Sequence, residues 1–224
     1  EQVVGYGAVM FWHGEESLST ATPEPTPSES ESASDLDLMG PVPLNAAEKK
    51  ELLRMARETI TLFLKAMVAP MYNVTDPNLQ RLSGAFVTLK KHGQLRGCIG
   101  RMTAENPLYL TVQRVGIEAA VADSRFPPLT SEELDEVEIE ISVLSPLQPT
   151  NDVNEIEVGR HGVILVKGGK QGVFLPQVAP EQGWDREEML ANLCFKAGID
   201  DENCWQEGAQ FYVFTAEVFA EGER

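Results

Sequence analysis

The segment from Glu136 to Leu144 alternates strictly between apolar and polar side chains, and this pattern constrains the fold more than any other feature. β-Branched residues occupy every second position and glutamate or serine the others: Val137, Ile139, Ile141 and Val143 against Glu136, Glu138, Glu140 and Ser142. A period of two predicts an antiparallel strand with one buried face and one wet face. We interpret the glutamates as a solvated sheet face.

Two predicted hairpins accompany this strand. One joins residues 84–89 to residues 94–99 through the turn Lys90–Gly93, and the other joins residues 162–166 to residues 173–175 through a glycine-rich turn. Residues 210–219 are apolar on both faces, and we expect them to form a single central strand.

Three helices are predicted from their start signals. Capping boxes begin two of them, Asn45 with Glu48 and Asp185 with Glu188, and Asn106 followed by Pro107 begins the third. Hairpins mixed with helices indicate an α+β domain. No dinucleotide-binding fingerprint interrupts this pattern.

Composition divides the chain into three parts. Residues 15–44 consist mainly of Glu, Ser, Thr, Pro, Ala and Asp, so we predict a disordered acidic linker. Residues 1–14 contain the apolar run Val3–Trp12, which resembles either the tail of a preceding domain or a strand that pairs with an edge of the main domain. Residues 45–220 form the main domain. The chain opens on Glu1 without Met, so we expect it to begin inside a longer protein.

Charge argues against several classes of function. The net charge is −17, and of the 35 acidic residues eight lie in residues 1–44, which leaves 27 against 18 bases, or −9, in the main domain. Nucleic-acid binding needs clustered cations, so we expect no nucleic-acid partner.

No apolar run is long enough to cross a membrane. Three cysteines do not make a disulfide framework, and a reduced, cytoplasmic setting is expected.

The most unusual segment is Leu95-Arg96-Gly97-Cys98-Ile99-Gly100. Glycines weaken a strand, so they indicate a bulge or a close approach of backbone or ligand. Strict alternation would place Arg96, Cys98 and Gly100 on one face, with free space beside the sulfur. A guanidinium favours thiolate, so this is either a reactive-thiol site or an anion pocket. Alternatively, Cys98 is a packed apolar residue and the glycines permit tight packing.

Other candidate residues are few. Asp123 and Arg125 either pair, line a pocket, or belong to a loop that ends a helix. His161 could act as a base toward Cys98, or it lies in a surface turn. We expect Cys194 to pack in the core and Cys204 to lie in a polar loop, and no short ligand spacing predicts a metal site.

Together these segments resemble the AMMECR1 domain family. The resemblance rests on stretches that occur in the family's order from about residue 45 to residue 220: residues 86–89, 95–100, Asp123 with 125–128, 139–144 with Pro146, 175–178, 183–185, and Cys194 with 196–198. It implies an α+β fold with a larger and a smaller lobe, and a cleft near Arg96–Gly100.

Residues 1–12 resemble the last strand of a MEMO-type, dioxygenase-like domain, as in bacterial MEMO–AMMECR1 fusion proteins. This resemblance implies a MEMO-like domain and a radical-SAM protein as partners. The metal-binding residues of a MEMO-type domain would lie upstream, so it assigns no cofactor to this segment.

Two functions follow as hypotheses. The favoured one is a substrate- or partner-binding module whose site includes Arg96, Gly97, Cys98, Gly100, Asp123 and Arg125. The alternative is an enzyme with Cys98 as nucleophile, Arg96 stabilising the thiolate or an anionic substrate, and His161 assisting.

Overall fold

The computed structural model describes residues 9–10 and 43–222. Five helices are present in these ranges: α1 Ala46–Ala66, α2 Pro77–Gln80, α3 Leu108–Val121, α4 Val178–Gln182 and α5 Arg186–Lys196. Nine strands accompany them: β1 Val9–Met10, β2 Ala85–Lys91, β3 Gln94–Arg101, β4 Val137–Leu144, β5 Gln148–Thr150, β6 Gly162–Lys167, β7 Lys170–Phe174, β8 Gln210–Phe214 and β9 Ala216–Ala220. Two 3-10 helices span Ser131–Glu136 and Val153–Glu155.

The strands form two sheets, and each sheet belongs to one lobe. The first lobe has the order β1-β3-β2-β4-β9, and the second has the order β5-β8-β6-β7. All neighbouring strands are antiparallel except β1, which pairs in parallel with β3. The predicted mixed α+β fold with flanking helices and two lobes is confirmed.

Both sheets are covered on two sides. One face of the first sheet carries Val87, Leu89, Ile99, Ile139 and Ile141, which pack with the apolar faces of α1 and α3. One face of the second sheet packs with α4 and α5. The remaining faces meet in a third apolar cluster, to which Phe86 and Cys98 contribute from the first lobe and Ile164 and Phe214 from the second. The lobes therefore share a small core of their own.

The prediction of a wet face is confirmed for Glu136 and Glu138, which are exposed, and is wrong for Glu140 and Ser142 farther along β4. The face of β4 that we expected in solvent turns toward the second lobe, where Ser142 is 2% exposed. Glu140 on the same face binds Lys90, with 2.8 Å between Oε2 and Nζ. The part of this face at Glu140 and Ser142 therefore supplies one wall between the lobes, because a second layer of protein covers it there.

The chain crosses between the lobes at two adjacent points. Ser145 lies between β4 and β5, and Thr215 lies between β8 and β9. The amide of Ser145 donates to the carbonyl oxygen of Thr215 at 3.0 Å, and the amide of Thr215 donates to Oγ of Ser145 at 2.9 Å. The predicted single strand 210–219 is therefore wrong: β8 is central in the second sheet and β9 is an edge of the first.

Local start and turn signals were mostly correct. Both capping boxes and both hairpins are confirmed. Asn106 is not the cap of α3, since the helix begins at Leu108 with Pro107 at the N-cap position. The folded unit includes Leu44, which is 4% exposed in the core, whereas residues 15–42 of the predicted linker lie outside the described residues.

The predicted core position of Cys194 is confirmed, but the sequence analysis missed its bond to Cys204. Cys194 on α5 and Cys204 in the following loop form a disulfide, and both are fully buried in the second lobe. The expectation of a reduced, cytoplasmic setting rested on the absence of a disulfide framework. This bond removes that argument. Within residues 9–10 and 43–222, no helix is both long and apolar enough to cross a membrane.

Gly97 allows β3 to lie directly against α3. A Cβ at this position would stand 2.2 Å from the carbonyl oxygen of Ala119, which is backbone and cannot move aside. Gly97→Ala should therefore lower the free energy of unfolding by about 1–3 kcal/mol, as overpacking does. Urea unfolding followed by circular dichroism measures the change.

Gly116→Ala on α3 is the matched control. A Cβ there would meet only the side chain of Ile60, at 3.7 Å. Alanine is the better helix former by about 0.5–1 kcal/mol, so this variant should be neutral or more stable. If Gly97→Ala were as stable as Gly116→Ala, tight packing would not explain Gly97.

Candidate functional site

A cavity of about 250 Å³ opens where the lobes meet, and we refer to it as the interlobe cavity. The first lobe supplies its sheet wall with Thr88, Lys90, Leu95, Cys98, Glu140 and Val218. Arg125, from the loop after α3, also lines it. The second lobe closes it with the residues that follow β7, namely Leu175, Gln177, Val178 and Glu181. The site therefore combines an aliphatic lining with charges from both lobes.

A bulge in β3 decides which side chains enter the cavity. Leu89 pairs with Gly97 but the next residue of β2, Lys90, pairs with Leu95, so Arg96 is the extra residue. The extra residue moves Leu95 to the face of Cys98. The predicted face shared by Arg96, Cys98 and Gly100 is therefore wrong for Arg96.

Arg96 holds a loop rather than a ligand. Its guanidinium binds the Glu133 carboxylate through Nε and Nη2, at 3.2 and 2.9 Å, and donates to the carbonyl oxygens of Pro127 and Pro128. The hydrogen bond from Arg96 is the main reason that the pKa of Glu133 falls to about 2. Arg96 is absent from the lining of the interlobe cavity, which contradicts its predicted contact with Cys98.

The two glycines of the segment serve packing. A Cβ on Gly100 would lie 2.1 Å from the ring of Phe86, so this ring fills the space that we expected beside the sulfur. Gly97 faces α3 on the opposite side of the sheet. Neither glycine lines the interlobe cavity, and the prediction that they belong to the binding site is corrected accordingly.

Cys98 lies in the floor of the cavity as a largely buried thiol, 8% exposed. Thr88, directly opposite on β2, donates its hydroxyl to Sγ at 3.2 Å. Burial raises the pKa of the Cys98 thiol above its ordinary value, although the Thr88 hydroxyl and the Arg125 guanidinium oppose the rise. The neutral thiol is therefore the stable form at neutral pH.

Asp123 and Arg125 form a clamp on the outer edge of β3. Oδ2 of Asp123 accepts the amide of Cys98 at 2.9 Å, and Nη2 of Arg125 donates to the carbonyl oxygen of Cys98 at 3.3 Å. The two side chains bind each other at 2.7 Å, and the Asp123 side chain is 1% exposed. The predicted pairing of these residues is confirmed. The pair takes the place of a neighbouring strand at Cys98.

His161 is remote from this chemistry. It precedes β6, and its Nδ1 accepts the amide of Glu157 at 3.1 Å. It does not line the interlobe cavity, so the proposed pairing with Cys98 has no support in the structure. In the part of the chain that the structure describes, no three His, Cys, Asp or Glu side chains group to hold a metal ion.

Lys90, Leu175, Val178, Glu181 and Val218 were missed as site residues by the sequence analysis. Only the order of strands in the fold brings them together. The stretch 175–178 could have signalled a site, since Leu175-Pro176-Gln177-Val178 was part of the resemblance.

The comparisons with known proteins agree with this fold. The AMMECR1 family model matches residues 53–219. Protein MK0488 of Methanopyrus kandleri is 39% identical over 189 residues, which cover 80% of this chain and 91% of that protein. A protein of Thermococcus gammatolerans is 42% identical over 183 residues, covering 76% of this chain and 88% of that protein.

A solved structure supports the same assignment. The crystal structure of the uncharacterized protein PH0010 from Pyrococcus horikoshii aligns with a TM-score of 0.72 and 41% identity, covering 77% of this chain and 90% of that one. The chain belongs to the AMMECR1 family. The predicted resemblance is confirmed for the main domain.

Because Asp123 forms the clamp with Arg125, we expect Asp123→Asn to lower the free energy of unfolding strongly. Burial alone would raise the pKa of Asp123, but hydrogen bonds from Arg125 and from the amide of Cys98 outweigh it, so the pKa lies below its usual value. Breaking such a buried pair should reduce the free energy of unfolding by about 3 kcal/mol near pH 7. Urea unfolding at several pH values measures this difference.

The pH dependence has a definite sign. Because the folded-state pKa is lowered, the ionised Asp123 stabilises the fold fully above about pH 5, and this contribution is lost as the pH falls through the folded-state pKa. The difference in the free energy of unfolding between wild type and Asp123→Asn should therefore become smaller in acid. Glu157→Gln, which removes an exposed pair with Arg160, is the control and should cost less than about 1 kcal/mol. If this difference in the free energy of unfolding grew in acid, the stabilising role of the Asp123–Arg125 pair would be contradicted.

Proposed function

We propose that this AMMECR1 domain is a ligand-binding module and that its ligand occupies the interlobe cavity. The observation that carries the proposal is the cavity itself, which both lobes line with aliphatic side chains and with charged groups. Small-molecule sites have this character, with an apolar lining and a few placed polar groups. A volume of about 250 Å³ lies just under the usual range of about 300–1,000 Å³, so it suits a small metabolite or the end of a peptide.

The catalytic alternative has less support. A nucleophilic cysteine needs a lowered pKa or an adjacent base. Burial raises the pKa of Cys98, Arg96 is engaged with Glu133, and His161 lies in a turn before β6. Cys98 therefore contributes a small, weakly polar surface to the lining of the cavity.

Thiol labelling separates the two functions. With Cys194 and Cys204 joined, Cys98 is the single free thiol, so labelling reports on one residue. In the native protein at pH 7.5 we expect Cys98 to react at least tenfold more slowly than in the protein unfolded without reductant, because its thiol is buried and its pKa is raised. A native rate equal to or above that of free glutathione would overturn the binding assignment in favour of a nucleophile.

A cavity-blocking variant tests the proposal directly. Val218 lines the mouth and is exposed, so Val218→Trp should obstruct the cavity without removing a core contact. Val158→Trp is the matched control, since Val158 is exposed in a turn away from the cavity. In a thermal-shift screen of small metabolites, we expect compounds that raise the Tm of the wild type and of Val158→Trp but not of Val218→Trp. A screen without such compounds would contradict the proposal.

Partnership with a MEMO-type domain and a radical-SAM protein is part of the proposal. Its support is the resemblance of residues 1–12, whereas the parallel pairing of Val9–Met10 with Ile99–Gly100 agrees with the alternative, a strand that pairs with an edge of the main domain. A tether of this kind raises the effective concentration of a linked module. The cytoplasmic setting stays a prediction, and the Cys194–Cys204 disulfide gives it no support.

A further inference from the structure

Both cations that line the interlobe cavity are already paired with carboxylates. Arg125 binds the buried carboxylate of Asp123, with 2.7 Å between Nη2 and Oδ2, and Lys90 binds Glu140, with 2.8 Å between Nζ and Oε2. Neither cation therefore leaves an uncompensated positive charge in the cavity. A carboxylate or phosphate ligand would have to compete with these two protein carboxylates, so the lining does not favour an anion.

Glu181 is the carboxylate of the lining that has no such partner. It lies on α4 in the second lobe, and it forms no ion pair in the part of the chain that the structure describes. Burial raises the pKa of Glu181, and although Lys90 opposes this rise, Glu140 adds to it. With Asp123 and Arg125 included, two bases stand against three acids, so the charges at the cavity sum to −1.

Two carboxylates from opposite lobes have oxygen atoms available to a donor. Lys90 donates to Oε2 of Glu140, whereas Oε1 of Glu140 and both oxygens of Glu181 accept no hydrogen bond from the described residues. The Glu140 side chain is 18% exposed and largely shielded from water, while Glu181 is exposed at the rim of the cavity. An ammonium group has three donors, so it can bind both carboxylates and compensate the unpaired charge.

The remaining lining suits a short aliphatic chain. Thr88 pairs with Cys98 on one side and with Glu140 on the other, so Cys98 and Glu140 lie two strands apart. At about 4.8 Å per strand their backbones are roughly 10 Å apart, which leaves room for a short chain between the thiol and the carboxylates. The aliphatic side chains of the lining come from both lobes: Leu95, Leu175, Val178 and Val218.

We propose that the interlobe cavity binds a primary aliphatic amine in its ammonium form, with the ammonium between Glu140 and Glu181 and the alkyl chain over Cys98. A free amine and the lysine side chain of a peptide share this chemistry. This inference rests on the proposed binding function and names its ligand class.

Three probes with the same five-carbon chain test the preference for a cation. At pH 7.5 pentylamine is a cation, pentan-1-ol is neutral and pentanoate is an anion. By ligand-observed NMR titration we expect pentylamine to bind about threefold or more tightly than pentan-1-ol, as one partly exposed ion pair allows. Pentanoate should bind more weakly than both. Equal or tighter binding of pentan-1-ol or of pentanoate would overturn the inference.

Glu181→Gln tests the site of the ammonium. It should weaken pentylamine about threefold or more and leave pentan-1-ol unchanged, because the ion pair is lost and the apolar contacts stay. Val218→Trp should prevent both probes from binding, since it obstructs the cavity that they share.

Glu202→Gln is the matched control for Glu181→Gln. The chain carries a net charge of −17, so an amine is also attracted to its surface without a specific site. Glu202 is exposed and does not line the cavity, so its replacement should change neither probe. Equal effects of the two variants would identify unspecific attraction and overturn the inference.

Nα-Acetyl-lysinamide distinguishes the two sources of the ammonium. Tighter binding of this probe than of pentylamine would identify the lysine side chain of a peptide, and the reverse a free amine; both results support the ligand class. If neither probe binds, the inference is overturned.

The metabolite screen separates a wrong ligand class from a wrong function. If it finds ligands that Val218→Trp excludes and none of them is a cation, the binding function stands and only the ligand class is wrong. If that screen finds no such ligand at all, the binding function fails as well.

Discussion

The carboxylate of Asp123 and the guanidinium of Arg125 close the outer edge of β3 at Cys98, and this contact holds the strand whose Cys98 side chain lines the interlobe cavity. A strand edge presents unpaired amides and carbonyls, which must be satisfied when they are buried. Here the carboxylate accepts the amide and the guanidinium donates to the carbonyl oxygen. Side chains therefore complete the edge of β3 at Cys98, next to Ile99 and Gly100, where β1 pairs with the same strand.

The clamp also fixes the electrostatics of the site. Asp123 is fully buried, so it holds Arg125 in one orientation while neutralising its charge. A side chain that is oriented in advance loses little freedom when a ligand contacts it, which favours recognition of a small ligand.

Local signals in the sequence identified the elements of the fold, but not the contacts that build the site. Capping boxes, turn residues and apolar periodicity are properties of neighbouring residues, and they gave α1, α5 and both hairpins. The bulge at Arg96, the chain crossing at Thr215 and the Cys194–Cys204 bond are contacts between separate segments, which the pattern of a single segment does not contain. For the same reason, strict alternation placed Arg96 beside Cys98, although one extra residue turns it toward Glu133.

The segment Leu95–Gly100 shows why an unusual sequence need not be a reactive one. Gly97 is required by the backbone of α3 and Gly100 by the ring of Phe86, so both glycines are explained by packing. The bulge turns Leu95 into the cavity, and burial keeps Cys98 protonated. What remains at this point is a small, neutral, weakly polar surface in the floor of the cavity. Such a surface suits the apolar part of the proposed ligand, whereas a thiolate there would add a second negative charge to a cavity that Glu140 also lines.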